Sequence, residues 1–344
     1  MSNSSAGGRG ALRIDSRQLS LFALRYGIFV ALLLLMAGMS AASEHFLTVH
    51  NLLNVARQAA PVIIIAVAMT FVMATAGIDL SVGSVVALTS SLSALWLADG
   101  LAPALVVPLA LGVGAAVGLF NGYFVTRGLP PFVVTLSTLI LVRGLAFVIS
   151  DGYATPVAND LFKFIGRGAV GPIHTPIVIA LVIALIGYLI LSKTRFGLYA
   201  LAIGGREEAA RLMGIKIVQI KLLVYMATGA LAAVAGVVIT ARLGNGSPNA
   251  GIALELEVIA AVVLGGTSLF GGSATIFGTV IGALFVNFVR NGLNLTGVNP
   301  FWVQVVTGLI LLLAVWFNAV VNQRIQQWSR VAEEDLAADL ADEM

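Results

Sequence analysis

The feature that most constrains this chain is a succession of apolar stretches nearly free of charge, each long enough for a hydrocarbon layer of about 30 Å. They run over Tyr26–Ala42, Gln58–Thr75, Val82–Ala98, Ala102–Thr126, Pro131–Ser150, Pro176–Ser192, Leu222–Ala241, Ile252–Ser268, Gly272–Val289 and Phe301–Val321. Only 10% of the 344 residues are charged and 59% are hydrophobic, where a soluble domain carries about a quarter charged residues. The mean hydropathy is +1.01. A soluble enzyme, a disordered chain and a nucleic-acid binder are excluded together. The fold class expected is an all-α polytopic membrane protein of about ten transmembrane helices. The 37 glycines suit helices that approach closely in lipid. The absence of cysteine removes disulfides, a thiol nucleophile and thiolate metal sites.

Orientation follows the basic residues. With the N-terminus inside, ten crossings place Arg9, Arg13, Arg17, Arg25, Arg127, the segment 193–221 and the C-tail on one side. That side holds thirteen Lys/Arg against five on the other. The expectation is N-in and C-in. Residues 1–20 read as a disordered inner tail, 21–325 as the transmembrane domain and 326–344 as an acidic inner tail. The first span is too long and lacks the small-residue site of a cleavable signal.

Residues 258–289 form an uncharged run of 32 residues, too long for one span and tight for two. Gly265, Gly266, Gly271 and Gly272 punctuate its middle, so a short or broken helix, a turn and a full helix are expected near 252–290. An internal repeat is also visible. Leu119-Phe120-Asn121 leading to Pro131-Phe132-Val133 is echoed by Leu284 to Asn287 leading to Pro300-Phe301-Trp302. Asp79-Leu80-Ser81-Val82 is echoed by Glu255-Leu256-Glu257-Val258. The topology makes this repeat inverted, as alternating access favours.

The longest inner segment, 193–221, contains Arg206, Glu207, Glu208 and Arg211 around Ala209 and Ala210, which predicts a short helix. Gly204 and Gly205 before it and Gly214 after it supply start and stop signals. Held between two spans, such a helix is a handle for another protein, with small alanines admitting a partner surface and charges matching it.

Glu208-Ala209-Ala210-x-x-x-Gly214 resembles the loop of bacterial ABC-importer permeases. The surrounding Ala202 to Gly205, Asn51-Leu52-Leu53-Asn54, Gly77 to Gly83 and Gly265 to Gly272 resemble the monosaccharide branch of ribose, xylose and arabinose type. The resemblance covers about residues 20–325. It implies the transmembrane subunit of a sugar importer in the bacterial inner membrane. Its implied partners are a second permease copy, a cytoplasmic ATPase docked on the loop and a periplasmic sugar-binding protein, with membrane lipid around it. Independently of that resemblance, no phosphate-binding loop occurs in the sequence, so any ATP-driven motor must be another polypeptide. No catalytic pair or metal constellation is visible; no enzyme, cofactor or nucleic acid is expected.

The residues singled out fall into four groups. Asp79 is expected to cap the third span by accepting from the amides of Ser81 and Val82, with Gly77 and Gly83 freeing the backbone; gating or proton relay is the alternative. Arg143 lies inside a span, where an unpaired charge costs at least about 3 kcal/mol, so it must pair or line a wet cavity. Glu255 and Glu257 are candidates for docking a soluble binding protein. Asn121 and Asn287, which recur in the repeat, are candidates for a translocation path. The competing function is an ion-coupled secondary transporter acting through Asp79 and Glu255. A membrane subunit without a conduit is the third reading.

Overall fold

The computed structural model describes residues 16–299, 301–306, 308–310, 312–316 and 320, with side chains from residue 28 onward. Twelve helices follow in order: α1 (Ser16–Ala42), α2 (Val49–Ala74), α3 (Val82–Ala98), α4 (Pro103–Thr126), α5 (Pro131–Ser150) and α6 (Asp160–Arg167), then α7 (Thr175–Lys193), α8 (Arg195–Gly205), α9 (Glu207–Leu212), α10 (Ile217–Leu243), α11 (Leu254–Leu264) and α12 (Ile276–Leu295). Further helical residues lie within 301–316. The strands are two-residue antiparallel clips, β1 (Thr155–Pro156) on β4 (Asn245–Gly246), and β2 (Ala169–Val170) on β3 (Ile173–His174). This is an all-α membrane protein. Among the described residues six helices, α2, α4, α5, α7, α10 and α12, are long and apolar enough to cross a bilayer.

Local chemistry sets the helix ends. Thr48 accepts from the Asn51 amide at 3.3 Å to start α2. A proline opens α4, α5 and α7 in the first turn, where its missing N–H removes nothing. The broken helix pair expected near 252–290 is present as α11, a glycine-rich bend and α12. Glycines let these pieces touch: a Cβ on Gly265 would collide with Gly278, and one on Gly282 with the Ala261 carbonyl.

α2 and α10 occupy the centre, while α7 presents most of its length outward. The α4–α10 seam is set by Gly114, Gly118 and Gly122, spaced by four and hence on one helix face. Gly114 lies against the Gly229 backbone and Gly118 against that of Tyr225, and neither has room for a Cβ. Lipid tails are as apolar as leucine, so helices associate there through such close packing.

Three differences from the expected organisation have physical causes. α1 begins at Ser16, inside the stretch 1–20 expected as a tail; residues 1–15, and the C-tail from residue 326, lie outside the described residues. α6 lacks a long apolar run because it is amphipathic, burying Phe162 while exposing Leu161 and Phe164. α8 escapes a reading based on charge alone. Thr194 caps it by accepting from the Gly197 amide at 3.4 Å, and Gly204 and Gly205 end it rather than start α9.

Candidate functional site

The chain between α2 and α3 turns back into the bundle. Ala76 has φ 58°, and Gly77 lies so close to the Tyr225 hydroxyl that a side chain has no room. Asp79 is buried, and its Oδ1 accepts from the Ser81 amide at 2.9 Å and the Ser81 hydroxyl at 2.6 Å. Of the two amides expected to donate to it, Ser81's does; Ser81 itself is the residue ahead of α3, so Asp79 closes a turn one step before the helix. Asn121 of α4 donates to Ser81 Oγ at 2.9 Å and reaches Asp79 Oδ1 at 3.4 Å. Ile78 carbonyl accepts from Tyr225 of α10 at 3.2 Å and from Thr135 of α5 at 3.4 Å. Three helices thus grip one irregular segment, as backbone without a ladder must be when buried at membrane depth.

The second bend, between α10 and α11, is gripped the same way. Arg143 of α5 donates to the carbonyls of Pro248 at 3.0 Å, Ala250 at 2.8 Å and Gly251 at 3.2 Å. The pairing that a buried charge demands is met here by loop carbonyls. Ser90 of α3 accepts from Thr240 at 2.7 Å and from the Ser247 amide at 3.2 Å. The bend carries left-handed residues at Gly251 (φ 70°) and Ala253 (φ 61°). It brings Glu255 beside Gly83 in the first turn of α3, where a Cβ would strike the carboxylate.

Glu257 is buried and pairs with Arg290 of α12. Glu255 is drawn in against α3 and Glu257 is spent within the fold. Of the two carboxylates expected to dock a soluble protein, Glu257 is thus buried and paired, while Glu255 stays half-exposed beside α3. Asn121 and Asn287 are both buried, and each serves its own neighbourhood, Asn287 donating to the Ala283 carbonyl at 2.9 Å. The structure does not bring the two amides together.

The helix expected around Glu207 is α9. Glu207 accepts from Lys221 of α10 at 2.6 Å and from Arg211 at 3.3 Å. Arg211 also lies 3.8 Å from Glu208. Gly214 ends the element with φ 78°. Ala210 is fully buried, so its small size serves packing within the chain and not a partner. The outward face is Glu208, Arg211, Leu212 and Met213, the last two 84% and 68% exposed. Exposed apolar side chains bordered by charges are the composition of a protein contact. Behind α9, Gly204 rests on the Ala74 carbonyl without room for a Cβ, and that carbonyl accepts from the Gly272 amide at 3.1 Å. Gly271 and Gly272, with φ 84° and 76°, complete this contact between α2, α8 and the α11–α12 bend.

Tyr225, Thr135, Lys221 and Ser90 were not singled out from sequence. A usable signal existed for the two bends: Ala76-Gly77-Ile78-x-Leu80 recurs as Ala250-Gly251-Ile252-x-Leu254. Among the described residues no group of three or more His, Cys, Asp or Glu could hold a metal.

A glycine-packed bundle of long apolar helices, with two gripped irregular bends and one exposed charged helix, defines a multi-pass α-helical membrane protein. Residues 51–315 match the family described as branched-chain amino acid transport system / permease component, and the chain belongs to that family. It is 41% identical over 305 residues to the ribose import permease protein of Haemophilus influenzae, covering 87% of this chain and 94% of that protein. The ribose import permease protein of Bacillus subtilis is 43% identical over 296 residues, covering 85% and 91%. The D-allose transport system permease protein of Escherichia coli is 35% identical over 308 residues, covering 88% and 94%. No solved structure matches. The resemblance drawn from the Gly77–Gly83 and Glu208–Gly214 motifs is borne out.

Proposed function

We infer that this chain is the permease subunit of an ABC importer that carries a monosaccharide across the inner membrane. It is not itself an enzyme; a separate ATPase supplies the energy and a periplasmic binding protein delivers the sugar. The observation that carries this reading is near-full-length similarity to several permeases named for ribose, allose or xylose import. In the finer reading, ten helices cross the membrane with both termini inside, related by an inverted repeat, and two copies flank the sugar path.

In the proposed mechanism α9 is the contact for the ATPase, through Glu208, Arg211, Leu212 and Met213. Its motion reaches the bundle by two routes. One is the Glu207–Lys221 ion pair onto α10, whose Tyr225 lies four residues further along the same face and holds Ile78. The other is α8, wedged on the end of α2 through Gly204. The first reaches the bend that delivers α3, and the second reaches the end of α2 and the glycine bend that follows α11. Rocking these two short helices opens the bundle to one side or the other.

The test is reconstitution of the chain with its ATPase and binding protein in liposomes. Uptake of ribose that requires ATP and all three components is expected. Uphill uptake by the permease alone, driven by a proton or sodium gradient, would falsify the reading.

A further inference from the structure

A cavity of about 230 Å³ lies between α2, α7, α8 and α10, walled by Val67, Phe71, Ile186, Ile190, Phe196 and Leu231 among other apolar side chains. Its lining includes Ile186, which is 50% exposed on the outward face of α7. The rings of Phe71 and Phe196 stand 6.1 Å apart. Two wall residues, Ile190 and Phe196, bracket the α7–α8 junction, which carries Lys193 and Arg195. Both cations are exposed, and among the described residues neither pairs with a carboxylate. The stretch from Thr175 to Gly205 contains no Asp or Glu at all.

An apolar groove open to a bilayer is filled by hydrocarbon, because an empty one forfeits dispersion contacts along its walls. Lysine and arginine at a span's end extend along apolar surface to reach the interface, where they attract anionic headgroups. The cavity and the cations occupy the same end of α7. We propose that this groove binds one acyl chain of an anionic phospholipid, whose phosphate is held by Lys193 and Arg195. The site rests on α7 spanning the membrane and not on the solute carried, so it stands or falls separately from sugar import.

The probe is phosphatidylglycerol with a photoreactive acyl chain, present in nanodiscs of phosphatidylcholine that hold the whole chain. Labelling is expected on peptides containing Ile186 or Phe196, with competition by unlabelled phosphatidylglycerol and not by further phosphatidylcholine. Lys193→Gln and Arg195→Gln are each expected to weaken retention about five-fold. Ile186→Trp, at an exposed position of the wall, is expected to abolish labelling while leaving both cations in place. Equal competition by phosphatidylcholine, or retention unchanged by both glutamines, overturns the proposal. Because the chain has no cysteine, a single Ile186→Cys variant checks the alternative occupant. A disulfide between two copies through that position overturns the lipid site in favour of a protein interface.

Discussion

A carboxylate sealed in an apolar bundle is tolerated only where donors converge on it, and Asp79 meets donors from its own turn and from α4. Asn121→Leu removes the single amide that serves both Asp79 and Ser81. It is expected to cost about 1–3 kcal/mol, the penalty for stranding buried polar groups, read as a lower unfolding temperature of the purified protein in detergent. Tyr225→Phe deletes the nearer of two hydroxyls on the Ile78 carbonyl, the other being Thr135, which shares its proton with the Pro131 carbonyl at 2.9 Å. Its expected cost is about 1 kcal/mol or less. A larger loss for the tyrosine than for the asparagine would show that the grip on Ile78, not the carboxylate cluster, holds the bend. The Asp79–Ser81 half of this cluster was legible from sequence because the partners are two residues apart. Asn121 and Tyr225 were singled out differently or missed, since nothing in an apolar helix announces which distant turn its polar side chain will face.

At the scale of elements, the sequence displayed α9 and the broken α11–α12 pair because charges and glycines interrupt apolar runs there. It hid α6 and α8, whose partners are seams of the bundle and not lipid. The two alanines of α9 divide: Ala210 is small because α9 lies down on its own bundle, while Ala209 stays half-exposed. The Glu207–Lys221 pair is only partly screened from solvent, with side chains 42% and 16% exposed, so its stabilising contribution is below about 1 kcal/mol. Its consequence is orientation. Lys221→Glu is expected to leave the unfolding temperature nearly unchanged yet lower ATP-driven uptake by about ten-fold, with ATP hydrolysis continuing. The double variant Glu207→Lys with Lys221→Glu restores the attraction and is expected to recover uptake. Paired measurements of hydrolysis and uptake check this: equal loss in the single and double variants would remove the ion pair from the coupling route. Gly118→Leu belongs to the same scale. It forces α4 off the Tyr225 backbone and is expected to cost several kcal/mol, in line with overpacking and backbone displacement of about 1–3 kcal/mol or more, seen as loss of folded protein in membranes.

At the scale of the molecule, the two re-entrant bends carry a geometric implication that no single residue does. One follows a long apolar helix, α2, and delivers the start of α3; the other follows α10 and delivers the start of α11. Glu255 meets Gly83, so the two starts lie side by side, although the proposed ten-crossing topology puts the helix ends that lead into the bends on opposite faces. In that proposed topology the two bends enter from opposite faces, as the proposed inverted repeat would arrange them. The topology has a direct consequence for labelling. In the proposed topology Arg211 on α9 and Lys163 on α6 are separated by one crossing, α7, and face opposite compartments. In a chain without native cysteine, Arg211→Cys is expected to react with a membrane-impermeant maleimide only after the membrane is opened. Lys163→Cys, at a half-exposed position of α6 whose lysine pairs with Asp160 one turn earlier, is expected to react in intact spheroplasts. Reaction of both from outside would break the even count of crossings and the inverted relation of the halves. It would also put α9 beyond the reach of any cytoplasmic motor.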